Sequence, residues 1–307
     1  VSSAPSGRQF EIASGEQRAS IVEVGGGIRA YEHGERSVLE SYPLEAMCDG
    51  AHGTPLIPWP NRLADGRYSF DGVEHQLGLS EPERHNAIHG LLRWRSWSAS
   101  EHASDRVVVG TRLHHSPGYP FALDVEIAYE LGEEGLSVST TAANVGDSPC
   151  PYGVGQHPYL SPGNGTIDAC TLELPVRTRI VTDGERKLPD GSEPVEGTRF
   201  DFRIPHPIGD SQIDAAFTDL VREESGRTLT RLTGPDGRCV ELWVDDHHDF
   251  LEIYTGDELA PSRRRRGLGV EPMTCAPNAF QSGEGLIRLE PGQSITTRWG
   301  VRLIAAG

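Results

Sequence analysis

The chain has 307 residues, with 45 acidic against 28 basic side chains and a formal net charge of -17. That balance argues against nucleic acid and anionic membrane as partners and for a soluble protein. Five cysteines (Cys48, Cys150, Cys170, Cys239 and Cys275) are odd in number, far apart and without a Cys-x-x-Cys pair, which speaks against a disulfide framework or zinc ribbon and for a reducing cytoplasm.

The polar stretch at residues 1–10 lacks the apolar segment of a signal peptide, and no apolar run is long enough to span a bilayer. Residues 18–24 and 37–42 read as strands, with Gly25-Gly26-Gly27 ending the first. The block from Gly53 to Arg62 holds Pro55, Pro58 and Pro60, too many prolines for a helix interior or a central strand. Tyr68-Ser69-Phe70, then Asp71-Gly72, then Val73 predicts a hairpin with a two-residue turn. Phe121, Leu123, Val125, Ile127, Tyr129 and Leu131 alternate with polar or small residues, and the alternation resumes at 136–145 after Gly132-Glu133-Glu134-Gly135. This is a period of two with one wet face, and it predicts a second hairpin.

Further strands are expected at 172–174, 177–181, 239–244, 250–254, 286–289 and 295–303. One segment departs from this pattern. Ile213, Phe217, Leu220 and Val221 fall at helical spacing and predict a turn or two of helix. Nothing else sustains a period of 3.6, and no internal repeat or low-complexity linker is present. The expected architecture is all-β: one antiparallel β-sandwich domain covering residues 1–307, two sheets packed face to face.

Polar side chains recur beside Pro or Gly at the predicted strand ends: Asn61 and Arg62 after Pro60, His89 before Gly90, His157 before Pro158, Glu271 before Pro272, and Asp214 after Ile213. Singly, each has a bland reading, because most Glu are exposed and most His are structural. Pro272 is expected to stop a strand, leaving Glu271 where strand gives way to loop. Two imidazoles, carboxylates and a guanidinium together suit acid/base work on a polar neutral substrate. Tyr159 and Trp59 offer a surface for a sugar face.

A metal site is the rival reading, since two His and two carboxylates suit zinc or a harder ion. There is no His-Glu-x-x-His, however, and His247-His248 beside Asp245-Asp246 reads as a solvated turn. No Gly-x-Ser-x-Gly elbow and no phosphate-binding loop is present.

In order, Pro60-Asn61-Arg62, Ile88-His89-Gly90, Gln156-His157-Pro158-Tyr159, Asp214, Tyr254-Thr255-Gly256 and Val270-Glu271-Pro272-Met273-Thr274 resemble the aldose 1-epimerase (galactose mutarotase) family. The resemblance spans most of the chain from Pro55 onward. It implies a galactose-mutarotase-like supersandwich, a small-molecule sugar substrate, no cofactor, no metal and a monomer or homodimer. It implies interconversion of the α and β anomers of a free aldose such as glucose or galactose. By position, Glu271 would be the base at the C1 hydroxyl and His157 the acid at the ring oxygen. His89 would assist His157, while Arg62 and Asp214, with Asn61 and Tyr159, would hold the sugar.

The run Arg263-Arg264-Arg265-Arg266 stands out in so acidic a chain. Read plainly it is a solvated loop. Read sharply it reaches the site mouth and selects an anionic hexose, such as a hexose 6-phosphate or a sulfo-sugar. A non-catalytic carbohydrate-binding protein on the same scaffold is the alternative from another class.

Overall fold

Alternation of side chains along the chain becomes alternation of burial in the folded protein. A computed structural model describes residues 4–161 and 163–305, so the first three residues of the N-terminal stretch lie outside the described set. In the strand Leu123–Gly132, Leu123, Val125, Ile127, Tyr129 and Leu131 are buried. This strand pairs in continuous antiparallel register with Gly135–Asn144, which is the predicted hairpin. Arg67–Phe70 and Val73–Gln76 form the other one. Asp71 and Gly72 between them have φ of 50° and 77°, the positive values that match a two-residue turn to the strand twist.

Among the described residues there are two large sheets, of twelve and nine strands, paired antiparallel, with small two-stranded ribbons beside them. In the smaller sheet, Gly135–Asn144 is followed by Ser294–Ile304, Cys239–Val244 and Thr228–Thr233. In the larger, Tyr159–Leu160, Leu268–Met273, Phe250–Tyr254 and Asp214–Thr218 lie side by side. Phe10, Ile12 and Tyr31 of the larger sheet share one apolar cluster with Val107, Ile127 and Val240 of the smaller. The fold is therefore a sandwich. Each buried aliphatic or aromatic side chain there contributes roughly 1.5–3 kcal/mol of transfer free energy. The five cysteines are free, and no helix among the described residues is long and apolar enough to cross a membrane.

Two local expectations fail. The segment predicted helical is the strand Asp214–Thr218, which pairs with Phe250–Tyr254 and with Thr178–Thr182. Neighbours on both sides supply a hydrogen-bond ladder that outweighs weak local spacing over so short a window. Pro55 lies in a two-residue strand, Pro55–Leu56, paired on one side only, to Gly155–Gln156, an edge position in keeping with the exclusion of this block from central strands. Finally, Pro272 does not end its strand. Leu268–Met273 runs through it, with all six residues buried.

The reason lies in the neighbouring strands. On one side Leu268–Met273 pairs without a break with Phe250–Tyr254. On the other its partners are Tyr159 opposite Gly269 and Gly155 opposite Met273, with a gap at His157-Pro158. Pro272 thus lies beside the interrupted part of the ladder, where a missing N–H is tolerated.

Candidate active site

That interruption builds the site. The register on either side of the gap sets His157 opposite Glu271, and the unbroken pairing on the other side sets Glu252 opposite Glu271. Side chains two apart share a face. Tyr254 therefore lies on the face of Glu252, and Asp214, opposite Tyr254, joins it. The alternate residues Val270, Ile253 and Ala215 point into the apolar core. One face of a strand group thus serves the fold and the other carries charge. Gly269 leaves this face low, since a Cβ there would stand 3.1 Å from Tyr254 Cβ and 3.7 Å from His157 Cε1.

A cavity of about 270 Å3 opens over the face, lined by Asn61, Arg62, His89, Arg93, His157, Tyr159, Asp214, Glu252 and Glu271 among others. At its floor His157 Nε2 lies 3.1 Å from Glu271 Oε1, both residues buried. His157 Nδ1 and Glu271 Oε2 have no hydrogen-bond partner within the protein. His89 enters from a loop, with its ring centroid 5.5 Å from that of His157. Asn61 and His89 hold each other: Asn61 N–H donates to His89 Nδ1 at 3.3 Å, and His89 N–H donates to Asn61 O at 3.0 Å. Neutral His89 therefore carries its proton on Nε2.

Both residues take positive φ, 54° and 62°, a conformation that costs energy and clusters at functional sites. Gly90 follows at φ 71°. A Cβ there would be 2.0 Å from Ile57 O, so the backbone beside His89 requires glycine.

The sugar-holding candidates are also fixed. Arg62 donates from Nε and Nη2 to Glu81 at 3.0–3.2 Å. Asn61 Nδ2 donates to Glu252 Oε2 at 3.2 Å. Asp214 is paired with the Lys187 ammonium, which also holds Glu258 at 2.8 Å. Tyr159 is stacked between His52 and His157, at centroid distances of 3.8 and 4.9 Å, and its hydroxyl donates to Gly50 O at 2.7 Å. It lines the cavity and supports the His157 ring against which it stacks. Trp59 is packed against Phe280 at 5.4 Å, outside the cavity lining.

Burial dominates the electrostatics. It pulls His157 well below the usual imidazole range, and the nearby His52 and Arg93 add to this. His89 is lowered in the same way, by burial and then by Arg93, His157 and Arg62. Burial pushes Glu271 well above the carboxylate range; Asp214 reinforces this, while Arg62 and Arg93 oppose it. Glu252 is raised by burial and then by Asp214 and Glu271. For Asp214 burial works upward, but Arg62 and Lys187 together hold the carboxyl below its ordinary value.

Several participants escaped the sequence reading. Glu252 left one trace, a lone charge in the otherwise apolar Phe250–Tyr254. Arg93, Glu81 and Lys187 left none, since each sits in an ordinary polar loop. The arginines at 263–266 do not line the cavity. Arg263 donates to Ser41 O at 2.8 Å, and Arg265 binds Asp168, Asp257 and the carbonyls of Gly209 and Ser211. Arg264 and Arg266 face solvent. His248, expected in a solvated turn, is buried with Nδ1 2.7 Å from Asp245 Oδ1.

A family model described as aldose 1-epimerase matches residues 8–302. The chain is 34% identical to the uncharacterized protein YihR of Escherichia coli K12, over 94% of this chain and 91% of that one. It is 24% identical to the galactose mutarotase of Sus scrofa, over 97% and 94%. An aldose epimerase homologue from C. elegans superposes with a TM-score of 0.86 at 16% identity, covering 98% of this chain and 99% of the other, a likeness of fold.

Proposed function

The chain belongs to the aldose 1-epimerase family, isomerases that act on sugars, and we propose that it interconverts the α and β anomers of a free aldose with Glu271 and His157 as the proton-exchanging pair. The observation that carries this reading is the 3.1 Å approach of His157 Nε2 to Glu271 Oε1 on a buried cavity floor.

Opening a hemiacetal ring removes a proton from the C1 hydroxyl and delivers one to the ring oxygen. Glu271 takes the first and His157 gives the second. The C1–C2 bond rotates and the ring closes on either face of the carbonyl, with the two groups exchanging roles. The pair needs one proton between its two members. Burial leaves that proton on Glu271 while the pocket is empty, because two neutral groups cost less in a dry site than two charges. Ring opening starts with the proton on His157, so the arriving sugar hydroxyls must supply the polar contacts that favour the charged pair. His89, with its proton on Nε2, is placed to donate toward the ring oxygen. Arg62 and Asp214, each locked by its own partner, hold hydroxyls in place without reorganising.

The same donors, His89, His157 and Glu271, lie within 4.8 Å of one another, close enough to share a cation. Arg93 beside them repels one, which favours the acid/base reading. A binding protein without catalysis needs hydroxyl contacts but no such pair. Polarimetry or anomer-resolved NMR on fresh α-D-glucose and α-D-galactose separates the two classes. Acceleration of the α-to-β change by the wild type, abolished in Glu271→Gln, is the expected result. Sugar binding with no acceleration would sink the enzymatic reading.

A further inference from the structure

His157 lacks the partner that ordinarily aims an imidazole for proton transfer. Such a ring is held by a hydrogen bond from its second nitrogen to a carboxylate or a carbonyl. Among the described residues no other residue takes up His157 Nδ1, although the ring is buried and its Nε2 sits 3.1 Å from Glu271 Oε1. Rotation of an imidazole about its last torsion is soft. Something else has to fix the plane in which Nε2 meets the carboxylate.

That work falls to a stack of three rings. The Tyr159 ring lies 4.9 Å from that of His157 at an interplanar angle of 14°, and the His52 ring lies 3.8 Å from Tyr159 at 9°. Both supports are anchored to one loop. The Tyr159 hydroxyl donates to Gly50 O at 2.7 Å. His52 Nδ1 is 2.8 Å from Asp49 O, and since a carbonyl only accepts, the His52 proton is on that nitrogen. His52 is buried, and burial lowers its pKa to about 4, so the ring is uncharged at neutral pH. The same loop carries the backbone of His157 across the gap in its ladder: Gly53 N–H donates to His157 O at 2.9 Å, and His157 N–H to Thr54 O at 3.1 Å. Gly50, Ala51 and Gly53 take positive φ of 53°, 56° and 64°, and a Cβ at Gly53 would be 1.9 Å from Ile28 O. A backbone so placed persists only where its surroundings impose it.

We propose that His52 is a positioning residue for the reaction: through Tyr159 it fixes the plane of the His157 imidazole, and with it the aim of Nε2 at Glu271 and at the ring oxygen of the sugar. This rests on the assignment of His157 as the acid given above. His52 is outside the cavity lining, to which its loop contributes Gly50 and Ala51. Its effect therefore falls on the chemical step and not on sugar binding. Misplacing a reacting group by about 1 Å costs up to ~10²-fold in rate.

The test compares His52→Ala and His52→Phe with the wild type by polarimetry on α-D-glucose and α-D-galactose. His52→Ala removes the flat face and should lower kcat by up to ~10²-fold, with KM unchanged. His52→Phe keeps a flat ring against Tyr159 and should recover most of that loss. If His52 only fills space, His52→Ala will lower Tm and leave the kcat of the folded enzyme as it was, and that outcome overturns the proposal. A folded His52→Phe as slow as His52→Ala overturns it too. The wild type decides even if neither variant folds. NMR relaxation at His157 Cε1 in the sugar-free protein should show the ring as rigid as the backbone on the ps–ns scale, and a mobile ring contradicts the proposal. Wild-type turnover in His157→Asn removes the acid assignment and this role with it. Loss of turnover in His157→Asn beside an unimpaired His52→Ala removes the role of His52 alone.

Discussion

Glu252 stands directly opposite Glu271 in adjoining antiparallel strands, both side chains buried on the same face. Like charges at such positions destabilise a sheet, and in a dry site two neighbouring carboxylates do not both ionise. Burial, then Asp214 and Glu271, therefore keep the proton on Glu252 far above the pH at which a free Glu loses it.

This arrangement predicts a pH dependence of stability. Unfolded, Glu252 ionises near pH 4.5; folded, it retains its proton. The stabilisation is fully present below the unfolded pKa, and it is lost as pH rises toward the raised folded value. Above pH 4.5 the folded state binds the extra proton, so the unfolding free energy falls by about 1.4 kcal/mol per pH unit from this group. Glu252→Gln should remove that contribution above pH 4.5 in urea titrations. A slope equal to the wild type's would show that Glu252 is ionised in the folded protein.

Glu271→Gln and His157→Asn remove the groups proposed to exchange protons while preserving approximate shape. Each should lower kcat by ~10²–10⁴, the range for one positioned acid or base, with a smaller change in KM. Wild-type turnover in Glu271→Gln would displace it as the base.

Lys187 contacts Asp214 and has no assigned chemical step. Removing it in Lys187→Met should raise the Asp214 pKa, because the ammonium helps hold that carboxyl down. Sugar binding by Asp214 should then fade at a higher pH than in the wild type. Acid-side KM profiles measure this, with the variant's KM rising earlier as pH falls and kcat less affected. Superimposable profiles would separate Asp214 from sugar binding.

Gly90→Ala and Gly72→Ala form a controlled pair. Both glycines have positive φ, so both substitutions carry the backbone strain. A Cβ meets nothing within 4 Å at Gly72 but would be 2.0 Å from Ile57 O at Gly90. Gly90→Ala should lose clearly more stability, by ~1–3 kcal/mol of overpacking, and should lower kcat by displacing His89. Equal Tm losses in the two variants would mean that the loop yields freely.

The sandwich was legible because burial on one face leaves a period of two in the sequence, as at Leu123 to Leu131. His157, His89 and Glu271 were visible through their Pro and Gly neighbours, but the inference drawn from Pro272 was reversed. A proline marks the end of a strand only when both neighbouring ladders continue, and here one is interrupted. The short strand at Asp214 depends on partners distant in sequence, so local spacing misreads it. Arg93 had no local signal at all: it joins the cavity lining only through the folding of distant segments, a fact that exists only in three dimensions.

The row formed by His157, Glu271 and Glu252 joins the interrupted segment between Gly155–Gln156 and Tyr159–Leu160 to the paired strands Leu268–Met273 and Phe250–Tyr254, which lie far along the chain from it. The turn at Asp71-Gly72 and the hairpin at Leu123–Asn144 close over short loops and are free to form early. The row must wait for the long closures, which carry the greater entropic cost and slow the assembly of such topologies. During refolding, recovery of anomerase activity should therefore trail the appearance of β-structure measured by circular dichroism. Turnover then acts as a clock for the last strands to join the sheet.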